Sequence, residues 1–154
     1  MKWYEHMIET SKGFIRRGQT VSPVLFLMSD QGSLSIVSLS AFADNKEAMS
    51  AAMRWLIRKR NPAEYCFITE SYVKMLKVDD EGDQALGSLL VDGSIQVSQL
   101  PSSQEALTVL HGTRRSERFG FIPFTKQGGK VTFGKTRWLG GDELKGRFVN
   151  LRNE

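Results

Sequence analysis

The hydrophobic pattern changes period twice within fifty residues, and this constrains the chain more than any other feature. Pro23-Val24-Leu25-Phe26-Leu27-Met28 is an apolar run, and Leu34-Ser35-Ile36-Val37-Ser38-Leu39 is a second strand-like segment. The intervening Ser29-Asp30-Gln31-Gly32-Ser33 has turn chemistry, so the two segments predict a hairpin. The period then lengthens to that of a helix, with Met49, Ala52, Met53, Leu56 and Ile57 on one stripe. Asp44, with Glu47 three residues on, predicts the N-terminal cap, and Asn61-Pro62 predicts the end near Arg60. Arg58, Lys59 and Arg60 in the last turn suit the negative end of the helix dipole. Glu64 to Glu70 reads as a buried strand, completing a βαβ-like unit whose last strand is free to lie parallel to the second. An amphipathic helix must bury its stripe on the following strand, so Trp55, Leu56, Cys66 and Phe67 are expected in one core.

Upstream, Trp3, Met7, Ser11 and Phe14 recur at helical spacing, with Tyr4, Ile8 and Ile15 beside them, which predicts a docked N-terminal helix ending near Gly18. Downstream, a short helix is expected over Ser71 to Lys77, followed by the acidic stretch Val78-Asp79-Asp80-Glu81-Gly82-Asp83. Asp92-Gly93 between Leu89-Leu90-Val91 and Ser94-Ile95-Gln96-Val97 is a strong hairpin signal. Strands are predicted at Ala106 to His111, Phe119 to Thr125 and Lys130 to Gly134, the last two joined by Gln127-Gly128-Gly129, and the segment from Trp138 is ambiguous. The fold class is therefore α+β: a mixed, largely antiparallel sheet with the main helix packed on one face and the N-terminal helix nearby. A chain of 154 residues without a linker or a repeat reads as one globular domain over 1-154.

Two phrases carry a resemblance. Ala63-Glu64-Tyr65-Cys66-Phe67-Ile68-Thr69-Glu70-Ser71-Tyr72 is an apolar strand running into a Glu-Ser-aromatic turn, and Pro101-Ser102-Ser103-Gln104-Glu105-Ala106-Leu107-Thr108-Val109 precedes a new strand. Over residues 20 to 135 the order of elements resembles a group of bacterial and phage proteins of unknown function. That resemblance implies no activity, and it singles out only Glu70. Where the group often has Trp after the Glu, this chain has Tyr72 one place later.

Most chemistry is excluded by what is missing. The opening Met1-Lys2-Trp3-Tyr4-Glu5-His6 does not read as a secretion signal, and no run approaches the roughly 18 apolar residues of a membrane span, so a cytoplasmic protein without membrane contact is expected. Cys66 is the only cysteine, set among apolar neighbours as a buried hydrophobe. His6, His111 and Cys66 have no ligand-like spacing, so no metal is expected. The acidic stretch fails the calcium-loop pattern because Ser88 stands where a Glu is required. Gly128-Gly129-Lys130 lacks the remainder of a phosphate loop, no serine lies in a nucleophile elbow, and no cofactor is implied.

Two candidate sites remain. Glu70, at the end of a buried strand, is a candidate acid or base if partly desolvated, against the plainer role of a cap or a lysine partner. Arg114, Arg115, Arg118, Phe119 and Phe121 form a basic-aromatic strand partly similar to those that hold single-stranded RNA or DNA, although Pro123 removes a strand donor and core packing is the plainer explanation of the two phenylalanines. The charge pattern has the same two readings. Residues 78 to 105 carry six acidic groups and no basic one, between segments of net positive charge, and the whole chain is +4. The resulting expectation is a non-enzymatic binding or accessory protein, acting on an unidentified protein partner or as a homodimer. Single-stranded nucleic-acid binding is the alternative, and an enzyme built on Glu70 comes third.

Overall fold

The computed structural model describes residues 1–73, 80–82, 104–140 and 151–152. The expected hairpin at Asp92-Gly93 and half of the acidic stretch (78, 79 and 83) lie outside the described residues. No helix among the described residues is long and apolar enough to cross a membrane.

Helix α1 (Trp3–Arg16) leads to the hairpin β1 (Val24–Met28) and β2 (Leu34–Ser38), then to helix α2 (Lys46–Arg60). Strands β3 (Glu64–Val73), β4 (Gln104–Thr113), β5 (Glu117–Gln127), β6 (Lys130–Phe133) and β7 (Arg137–Gly140) follow. The sheet runs β2-β1-β3-β4-β5-β6, with β7 also on β5, and every pairing is antiparallel. β2 and β3 do run the same way, because both oppose β1, but β1 lies between them and they do not pair. Composition explains this arrangement. Leu25, Phe26 and Leu27 of β1 are buried on both faces and require a central position, whereas β2 carries two serines and leaves Ile36 64% exposed, which suits an edge.

β5 shares its outer edge between two partners: β6 pairs Phe124 to Gln127, and β7 pairs Arg118 to Phe121. Pro123 falls in the gap between these ladders, where its missing N–H interrupts neither. The ambiguous C-terminal segment thus resolves in part as strand β7. Ser71 to Val73, expected to begin a helix, instead continue β3, because β4 pairs with them through Ala106, Glu105 and Gln104.

Each helix covers its own face of the sheet. α1 buries Tyr4, Ile8, Ser11 and Ile15, so its stripe is centred one position away from the expected one, and Phe14 is exposed. Against it pack Phe26, Cys66, Ile68, Leu107, Val109, Ile122 and Phe124. α2 begins one residue later than expected, with the Asn45 side chain accepting the Ala48 N–H at 3.0 Å in the role given to Asp44. It buries Met49, Met53 and Ile57 against Leu25, Leu27, Tyr65, Phe67 and Leu110. The single core expected for Trp55, Leu56, Cys66 and Phe67 is therefore divided. Adjacent strand residues point to opposite faces, so Cys66 meets α1 while Phe67 meets α2, with Leu56 partly buried beside it. Trp55 lies outside both clusters and is 54% exposed.

Candidate binding groove

Strand register brings distant residues into line on the α1 face. Cys66 of β3 lies opposite His111 of β4, and His111 lies opposite Arg118 of β5. One step along, Glu64 opposes Thr113. Since residues directly across an antiparallel ladder share a face, Glu64, His111 and Arg118 converge beneath the start of α1.

The helix start is fastened to this cluster. Lys2 has no capping oxygen, and the Glu5 carboxylate accepts its backbone N–H at 3.2 Å instead. Trp3 Nε1 donates to Glu64 Oε2 at 3.2 Å, and the Tyr4 ring stacks on His111 at 4.1 Å between centroids. His111 Nε2 lies 2.9 Å from Glu64 Oε1. Burial acts to raise the Glu64 carboxyl, but hydrogen bonds from His111 and Trp3 outweigh it and hold the group below the ordinary carboxylate value. Burial lowers the His111 imidazole, and the charge of Arg118 adds to this against the pull of Glu64. At neutral pH the pair is an ionised carboxylate accepting from a neutral imidazole, so Nε2 carries the proton.

Arg118 is held by aromatic rings. Its guanidinium lies 5.3 Å from the Tyr4 ring centre and 4.1 Å from that of Trp138, and it donates to the Tyr4 hydroxyl. Gly120 makes room for this: a Cβ there would come within 2.7 Å of the Trp138 ring. Among the described residues, no carboxylate lies at ion-pair distance from Arg118. Lys2, Trp3, Tyr4, Glu64, His111 and Arg118, with Thr113 and Ser116, border an open groove of about 470 Å³. Beneath it Cys66 is fully buried, and burial pushes its thiol far above the ordinary range, so it acts as packing.

The residues singled out from sequence are dispersed by the fold. Glu70 is internal to β3, and its Oε1 accepts the Val21 N–H at 2.8 Å, tying the α1–β1 connection to the sheet. Arg114 forms a two-pronged pair with Asp30, at 2.7 and 3.1 Å, and also donates to the Asn61 carbonyl at 2.7 Å. Arg115 is exposed in the β4–β5 turn. Arg118 alone reaches the groove. Phe119 and Phe121 point to the opposite face, where Phe121 is buried and Phe119 packs against the α2 cluster. Sequence reasoning missed Glu64, His111 and the aromatic contribution of Trp3, Tyr4 and Trp138, because no local motif joins them. No local signal was available for His111, because β4 is buried on both faces and alternation along it singles out no residue. Among the described residues, no group of three potential metal ligands occurs. Comparison with protein-family models, curated proteins and solved structures gave no match.

Proposed function

We propose that the protein is a non-enzymatic binding module that takes a small, ring-bearing carboxylate or phosphate into the groove under the start of α1. The observation that supports this reading is Arg118, whose guanidinium is positioned by two aromatic rings and lacks a described acidic partner. A cation fixed in this way has already lost its side-chain freedom, so binding an anion costs little further ordering. Lys2 adds a second positive group at the rim, and Trp3 and Tyr4 offer aromatic walls. The Glu64–His111 pair serves by holding Trp3 and Tyr4 in place. With His111 neutral and its ring nitrogen engaged by Glu64, the pair supports binding more readily than acid–base turnover.

Thermal unfolding in the presence of phenyl phosphate and of benzoate tests the reading. Either probe should raise the melting temperature of the parent with increasing concentration, as any ligand of the folded state must. Arg118→Gln should abolish the rise while remaining folded. A parent whose melting is unmoved by both probes at millimolar concentration, or a variant that responds as the parent does, removes the basis for this function.

A further inference from the structure

Trp55 was expected in the core and instead stands in solvent on the outer surface of α2, with Lys59 Nζ 4.6 Å above its ring. α2 carries Lys46, Arg54, Arg58, Lys59 and Arg60 against Glu47, a net +4 that equals the formal charge of the whole chain. The helix dipole accounts for cations in the last turn. It does not account for those that the fold adds from elsewhere. Asn61, in the left-handed conformation that ends α2, receives Arg114 on its carbonyl and Arg152 on its side-chain oxygen, the latter at 2.8 Å. Arg152 also donates to the Pro62 carbonyl at 2.6 Å. Exposed Arg115 adjoins Arg114, so segments far apart in sequence deliver positive charge to one corner. Burial and then the charge of Arg114 press the Arg152 guanidinium below its ordinary value, a sign that these like charges oppose one another.

We propose that this corner, the outer face of α2 and its C-terminal end, binds single-stranded nucleic acid. Phosphates would lie on Lys59, Arg60 and the exposed Arg115, beside Arg114, whose own charge is paired with Asp30, and an unpaired base would stack on Trp55. Basic side chains beside an exposed ring are what such strands use, because every base has a stacking face and every phosphate releases counterions on pairing. The surroundings of Trp55 disfavour the other partners. The neighbours on the same helical surface are exposed Ala51, Arg58 and Lys59 and half-buried Ala52, none of them a large apolar side chain, so the apolar area needed to enter a bilayer is missing. A protein interface would have to dry several cations around the ring, whereas interface centres are depleted in lysine.

Anisotropy of a labelled single-stranded oligo-dT, titrated at several salt concentrations, tests the proposal. The parent should bind at low salt, with affinity falling steeply as salt rises. Lys59→Ala/Arg60→Ala should reduce the log–log salt slope by about 1.4, at about 0.7 per lost phosphate contact. Trp55→Ala should weaken binding about five-fold or more while leaving the slope unchanged, because stacking is not ionic. Arg118→Gln, in the groove on the opposite face, should bind oligo-dT as the parent does, which separates this site from the groove. Absence of binding at low salt would overturn the proposal, as would binding indifferent to the α2 substitutions. So would equal affinity, with the same dependence on these residues, for phosphatidylglycerol vesicles or for poly-glutamate.

Discussion

The two faces of the sheet use neighbouring residues of the same strands to opposite ends. On the α2 face, Tyr65 of β3 lies opposite Gly112, and Gly112 opposite Glu117. The Tyr65 ring crosses the glycine, its hydroxyl donates to Glu117, and Glu117 also accepts the Leu151 N–H at 3.1 Å. Leu151 is fully buried there and Arg152 lies over the Tyr65 ring, so the end of the chain closes this face. One residue away in each strand, Glu64, His111 and Arg118 meet rings from α1 and β7 but leave an open groove. The comparison teaches that a polar network is sealed when its acceptors are used up internally, and stays receptive when one charge, here Arg118, is held by rings and not by an anion.

The largest effect should come from the sealed face. Tyr65→Ala removes a fully buried ring and its hydrogen bond to Glu117, and should cost about 3 to 5 kcal/mol in denaturant unfolding. A loss below about 1.5 kcal/mol would show that the face is not closed as described. A pair of glycine substitutions sharpens the contrast at a smaller scale. Gly112→Ala and Gly120→Ala each force a Cβ into an aromatic ring, Tyr65 and Trp138 respectively, and each should cost about 1 to 3 kcal/mol. Only Gly120→Ala should also weaken anion binding, since it displaces a ring that positions Arg118. Equal loss of binding in both variants would mean that the faces are not independent.

The smallest effect is a pH dependence confined to the groove face. The folded His111 has a lowered affinity for protons, so between its folded and unfolded values the unfolded chain binds more protons. Stability from this group is complete above the unfolded value of about 6.5 and is lost as pH falls below it. Glu64, lowered in the fold, contributes stability that disappears only at more acid pH, below the ordinary carboxylate value. Between pH 7 and pH 5, His111→Gln should therefore lose less stability than the parent in parallel melts. Identical slopes would show that His111 is protonated as easily in the fold as out of it.

Much of the secondary structure was legible because it rests on local physics. The Ser29 to Ser33 turn, with Gly32 at φ +83°, and the Gln127-Gly128-Gly129 turn follow from residues that tolerate positive φ. The helix ending at Asn61-Pro62 likewise follows from the local sequence. Periodicity identified Met49, Met53 and Ile57 as inward residues of α2, but it blurred the helix edge, placing Trp55 inside and centring the α1 stripe beside its true axis. An error of one residue, about 100° around the helix, separates core from solvent.

Assembly of the site had no such local cause. Glu64, His111 and Arg118 are aligned by register across β3, β4 and β5, and that register is set by pairings such as Cys66 with His111 and His111 with Arg118, between residues 45 and 7 positions apart. Alternation says which residues of one strand share a face; it does not say which face receives which helix, nor which residue of the next strand stands opposite. The sequence by itself determined most of the described elements and their turns. Only the tertiary structure decided that Glu70 would anchor a connection, that Arg114 would be paired with Asp30, and that Arg118 would face open space between two rings. The physical reason is that burial and ion pairing are properties of neighbours, and these neighbours come from opposite ends of the chain.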